Sequence, residues 1–326
     1  MDPTRTFCRS DVNITSENSK EVIDKLTPVL SLKGKIPLTF KRNYTSTKDK
    51  PKESSSDIDD VFLTLDITPF NNLEAYNLAS IDMYFDITNS NSGFLAPQVL
   101  KFQNYVISGS RNYGFAEYIQ YRNIISFIYF FEFVDPGKVI PTNINYGRLH
   151  QIKNYDDFRY SDYNFYINRV LRVDTSGVDV YIIQDYVSSI ELLIQVNMML
   201  ILLKDQGDAI IKIKLNELTT DILTILNNCF DYIALFKPVC SNIYNDTFYL
   251  VCKFYKKDKS TEVNRFIKNI IKKEDYMSNI DGILEKKDEH VKEYTAGIVE
   301  LLDNERYITK EITYVPNKIK TYLNIL

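Results

Sequence analysis

The feature that most constrains this chain is an alternation. From Asn104 to Tyr255, short apolar runs of strand type take turns with segments of helical spacing. NYVIS (Asn104–Ser108) reads as a strand and GFAEYIQYRN (Gly114–Asn123) as a helix. ISFIYFFEF (Ile125–Phe133) and VDVYIIQD (Val178–Asp185) are continuous apolar runs, the pattern of strands buried on both faces. VSSIELLIQVNMMLILL (Val187–Leu203) is helical by length and spacing, DAIIKIKL (Asp208–Leu215) is a strand, and NELTTDILTILNNCF (Asn216–Phe230) is a helix. YIALFK (Tyr232–Lys237) and TFYLVCKFY (Thr247–Tyr255) are two strands with no room for a helix between them. Alternating strands and helices imply a mostly parallel sheet covered on both faces. The closing pair implies one antiparallel strand at the C-terminal end.

The flanks differ in character. Residues 1–60 are mostly polar, and TSTKDKPKESSSDIDD (Thr45–Asp60) has the makeup of a flexible linker. VFLTLDI (Val61–Ile67) reads as a strand. NLEAYNLASIDMYFDI (Asn72–Ile87) has helical apolar spacing at Leu73, Tyr76, Leu78, Ile81, Tyr84 and Phe85. After Lys256 the chain is charged and helical in period. The expected organisation is an N-terminal extension (1–60), an α/β domain (61–256) and a helical C-terminal appendage (257–326).

Composition excludes several functions. No run approaches the roughly 18 apolar residues of a membrane span, and MDPTRTFCRSD lacks the apolar core of a signal peptide. Four scattered cysteines (Cys8, Cys229, Cys240, Cys252), with no C-x-x-C pair, fit a reducing intracellular compartment. With only His150 and His290, neither a zinc site nor a Ser-His-Asp or Cys-His enzyme is expected. A net charge of −4 gives no global attraction to nucleic acid. KFYKKDK (Lys253–Lys259) and IKNIIKK (Ile267–Lys273) interleave basic and apolar residues; they suit RNA-backbone contacts or a solvated surface. The abundance of Tyr, Phe, Ile, Asn and Lys, with no Trp, suggests an AT-rich coding genome.

Two polar positions stand out in the strands. Asp185 ends an apolar strand, where a parallel sheet delivers a residue to its cleft or where a carboxylate caps the next helix. Lys212, within AIIKIKL, must pair with a carboxylate, act in a site, or face water beside Lys214. Asp185, at the end of a neighbouring strand, is the expected partner. The turn after NYVIS, GSRNYG, has Gly109 and Gly114 at its ends but Arg111, Asn112 and Tyr113 between them, where backbone approach to a cofactor needs small residues.

NLASIDMYFDITNSN, GFAEYIQYR, QGDAIIKIKL and FDYIALFKPVCSNIYNDTFYLVCKFY, in that order, resemble the landmarks of FtsJ-like RNA ribose 2′-O-methyltransferases, especially the mRNA-cap branch. The resemblance covers about 73–255. It implies a Rossmann-like S-adenosylmethionine methyltransferase fold. It also implies a Lys-Asp-Lys-Glu catalytic set, in which a lysine accepts the ribose 2′-hydroxyl proton. In this chain those positions fall on Asn77, Asp185, Lys212 and Thr247. The Asp–Lys core is kept and two members are neutral. The cofactor positions fall on Gly109, Ser110 and Gly114, with Arg111 and Tyr113 obstructing.

The expectation is a degenerate member that binds no cofactor. It would act as a stimulatory or stabilising subunit for a larger catalytic capping or methyltransferase subunit. The small subunit of poxvirus capping enzymes is similar in kind, which implies a large DNA virus as source and a cytoplasmic or virion location. The alternatives are an active cap 2′-O-methyltransferase using S-adenosylmethionine, Asp185 and Lys212 on capped RNA, and an RNA-binding scaffold. No metal and no membrane are expected.

Overall fold

The computed structural model describes residues 70, 72–88, 101–109, 112–132, 144–153, 163–238, 241 and 247–272. The N-terminal extension, the 61–67 strand, Ser110, Arg111, Cys8, Cys240 and the chain after 272 lie outside the described residues.

Helix α1 (Leu73–Phe85) comes first. Then follow β1 (Asn104–Ser108), α2 (Gly114–Arg122), β2 (Phe127–Glu132), β3 (Leu149–Lys153) and α3 (Tyr163–Leu171). β4 (Val178–Ile183), α4 (Ser189–Leu202), β5 (Leu203–Lys214) and α5 (Thr220–Cys229) continue the alternation. β6 (Phe230–Phe236), β7 (Thr247–Tyr255) and α6 (Lys257–Lys272) complete it.

The seven strands form one sheet in the order β3-β2-β1-β4-β5-β7-β6. All neighbours up to β5 are parallel. β7 inserts between β5 and β6 and runs antiparallel to both. A two-strand hairpin can close the sheet this way because an antiparallel link needs no crossover helix.

Both faces are covered, which is why the central strands are apolar without alternation. On one face α1 and α2 pack over Tyr105, Ile107, Phe130, Ile182, Ile210 and Val251. On the other, α3, α4, α5 and α6 cover Val106, Phe131, Tyr181, Ile183, Ile211 and Leu250. The basic segment after Lys256 begins as α6 and packs onto this second face through Val263 and Ile267. Lys253 and Lys256 are taken up by Asp208 (2.6 Å) and Asp231.

Differences from the expected elements have local causes. β5 starts at Leu203, directly after α4, and reaches Asp208 through Gln206 at φ +64° and a register shift against β4. The helix expected from Asn216 begins at Thr220, where the Thr219 side chain accepts from Ile222 N; a 3-10 turn at Leu215–Glu217 precedes it. β3 and α3 have no counterpart in the sequence patterns. β3 is an edge strand with His150 and Lys153 exposed, so it carries no continuous apolar run.

Cys229 and Cys252 are free, buried and in the core of the second face. Burial pushes the Cys229 thiol up to about 12 and raises Cys252 as well. These two thiols are therefore expected to resist a disulfide reagent in the native protein and to react once guanidinium chloride unfolds it, which mass spectrometry of labelled peptides checks.

Candidate functional site

In an open α/β sheet the ligand crevice lies beyond the C-terminal ends of the strands, where strand order reverses. Here that point is between β1 and β4. β1 ends at Ser108 and enters Gly109 at φ +70°. A Cβ on Gly109 would lie 1.8 Å from the Asp185 carbonyl oxygen, so only glycine lets the two turns meet. Gln195 of α4 supports the contact from below. It donates to that carbonyl (2.9 Å) and accepts from Ser108 Oγ (2.7 Å).

Gln184 Nε2 donates to Asn112 Oδ1 (3.0 Å), and the same oxygen accepts from Gly114 N (3.1 Å). Tyr113 is buried and stacks on Phe130 of β2, with ring centroids 4.7 Å apart and planes 15° apart. Its hydroxyl donates to Glu132 Oε1 (2.8 Å) and accepts from Gln151 Nε2 (2.9 Å). Glu132 is fully buried at the end of β2, the place where the acidic residue of a dinucleotide-binding sheet holds ribose hydroxyls. Its carboxylate also meets Lys153 Nζ at 3.3 Å.

Gly114 serves the helix layer. A Cβ there would lie 2.9 Å from Glu74 Cβ and 3.0 Å from Ala75 N, so its absence lets α2 start against the first turn of α1. Asn72 caps α1 by accepting from Glu74 N (2.9 Å). Glu74 is thereby set above the end of β5.

Lys212 shares its sheet face with Ile210 and stands in register with Tyr249 of β7. The carboxylate that meets it is Glu74, not the expected Asp185. Glu74 Oε2 also accepts from Tyr249 OH (2.8 Å) and, more weakly, from Asn77 Nδ2 (3.4 Å). Burial, and then the Glu74 charge, raise the Tyr249 hydroxyl well above its usual range, so it remains a donor. Asn77 is buried within this cluster, while Thr247 lies two residues along β7, opposite Lys214. The Thr247 backbone carbonyl accepts from Lys237 Nζ (2.8 Å).

Asp185 is not the cap of α4; Ser188 is, accepting from Glu191 N. Asp185 Oδ1 accepts from Tyr186 N (2.9 Å), and Tyr186 OH donates to Glu217 Oε2 (2.5 Å), tying the end of β4 to the turn after β5.

Asn77, Lys212, Asp185 and Gly109 thus lie along one edge of the sheet. Glu74, Glu132, Tyr249 and Gln195 belong to the same edge and were not singled out from the sequence. Glu74 and Gln195 sit on helices where polar residues are unremarkable. Glu132, a carboxylate ending an apolar run, carried the same signal as Asp185.

The strand order with its inserted antiparallel β7 defines the class of fold: a Rossmann-like methyltransferase fold. No protein-family model matches the chain, and no curated protein matches it. Among solved structures it is similar to a protein described as a ribosomal RNA methyltransferase from Plasmodium falciparum, at 17% identity over 57% of this chain and 98% of the other, with a TM-score of 0.41. Aeropyrum pernix fibrillarin with bound S-adenosylmethionine matches at 17% identity over 55% of this chain and 76% of the other, TM-score 0.36. A Lactococcus lactis protein described as a hemolysin candidate matches at 11% identity over 59% of this chain and 91% of the other, TM-score 0.39. The likeness is one of fold, and no activity follows from it.

Two substitutions test this construction. Gly109→Ala is expected to lower the melting midpoint by about 5 °C or more, because strain and a backbone collision together cost about 2–3 kcal/mol. Tyr113→Phe keeps the stack on Phe130 but takes a donor from the buried Glu132; an expected loss of about 2 kcal/mol would appear in a urea titration as a lower midpoint at unchanged slope.

Proposed function

We propose that the chain has kept a methyltransferase fold and serves as a non-catalytic subunit that binds and stabilises a larger capping or RNA-methyltransferase subunit. One observation supports this reading: Asn112 and Tyr113, in the turn where the resemblance puts the cofactor, are bound to the protein's own side chains. Tyr113 fills the space over Phe130 and engages Glu132, and Asn112 bridges to Gln184 across the switch point. A nucleoside could reach Glu132 only by displacing a stacked, hydrogen-bonded ring. A partner would gain stability by mass action, since binding to the folded form alone shifts its unfolding equilibrium. A cytoplasmic or virion complex of viral origin, acting on capped RNA, is the setting that the sequence resemblance suggests.

The second reading is an active cap 2′-O-methyltransferase. What favours it is that Asp185 and Lys212 lie on the same edge of the sheet and that Lys212 still has a carboxylate neighbour, Glu74. Against it, Lys212 Nζ is directed at Glu74, whereas a lysine base must be directed at its substrate.

Calorimetric titration of the purified chain with S-adenosylmethionine and its demethylated product separates the two. No heat of binding up to about 100 times a typical micromolar affinity is expected, whereas saturable micromolar binding would overturn the first reading.

A further inference from the structure

Three donors from three elements converge on the carboxylate of Glu74. Lys212 Nζ comes from β5, Tyr249 OH from β7 at 2.8 Å, and Asn77 Nδ2 from the second turn of α1 at 3.4 Å. The side chains of Glu74 and Lys212 keep 14% and 29% of their exposure, so the cluster opens at the sheet edge. Glu74 also lies in the first turn of a 13-residue helix, where the backbone dipole favours negative charge. An ammonium, a phenol and an amide arranged around one point beside a helix N-terminus would be read as an anion-binding site if a free ion lay there. The ion here is part of the chain.

We propose that Lys212, Tyr249 and Asn77 form an anion-binding site at the C-terminal edge of the sheet, and that Glu74 is its built-in occupant. The class of external ligand is a small monocarboxylate, because the group that separates glutamate from alanine is acetate in outline. Gly114 holds the occupant in place, since its missing Cβ lets α2 close against Glu74 Cβ. The site rests on the proposed reading in one respect, that Lys212 is a fixed donor and not a base.

The test is chemical rescue of Glu74→Ala, followed by thermal unfolding. The variant should melt below the wild type. Acetate at about 100 mM, against chloride at equal ionic strength, should raise its midpoint by about 2–4 °C, the effect of a site of about 20 mM affinity and a sixfold shift in the folding equilibrium. Wild type should not respond. Phosphate is the second arm: rescue by acetate alone supports a carboxylate-shaped site, and rescue by both supports a general anion site with the same three donors. The response should vanish in the E74A/K212M double variant. Acetate acting no better than chloride, or acting equally in the double variant, overturns the proposal. If E74A does not fold, E74Q, K212M and their combination give the answer. Lys212→Met should then cost at least tenfold less in unfolding equilibrium within the E74Q background than alone, and simple additivity overturns it. Cofactor titration reads out the crevice and rescue reads out this cluster, so either can fail without the other.

Discussion

The carbonyl oxygen of Asp185 lies where a side chain of residue 109 would begin. The crevice edge depends on that contact. It brings the turn after β1 against the end of β4, with Gln195 closing the hydrogen bonds beneath. With the turns joined there, Asn112 reaches Gln184 and Tyr113 is directed down onto Phe130. A glycine that in a nucleotide-binding sheet lets the backbone approach a ligand here lets it approach another strand end.

The same self-sufficiency governs the charges along the edge. A buried carboxylate without partners is costly, and chains either neutralise it or supply donors. Glu132 is met by Tyr113 and Lys153, and Glu74 by Lys212, Tyr249 and Asn77. Asp82, fully buried at the other end of α1, accepts from Tyr118 OH (2.7 Å) and from the Thr88 hydroxyl and backbone (each 2.7 Å).

Sheet membership was legible wherever burial on both faces left an unbroken apolar run, as in β2, β4 and β7. It was illegible in β3, whose edge position leaves His150 and Lys153 in water. One helix start was read early, at Asn216, because the polar residues ahead of the helix interrupt no pattern; Thr219 fixes the true start. The bulk of Tyr113 in the turn after β1 was legible because residue size is a local fact. Its target was not, since Glu132 lies on another strand.

The sequence alone determined the order of elements, the two-sided sheet, the closing antiparallel strand and the presence of a lysine in a strand that had to answer for its charge. Each follows from local periodicity and the cost of burying polar groups. Which carboxylate answers for Lys212 was decided by tertiary structure. Glu74 lies 138 residues away in the chain and reaches Lys212 because α1 docks across the sheet face that Lys212 shares with Tyr249. Pairing at that range depends on how a helix sits on a sheet, and no spacing along the chain encodes it.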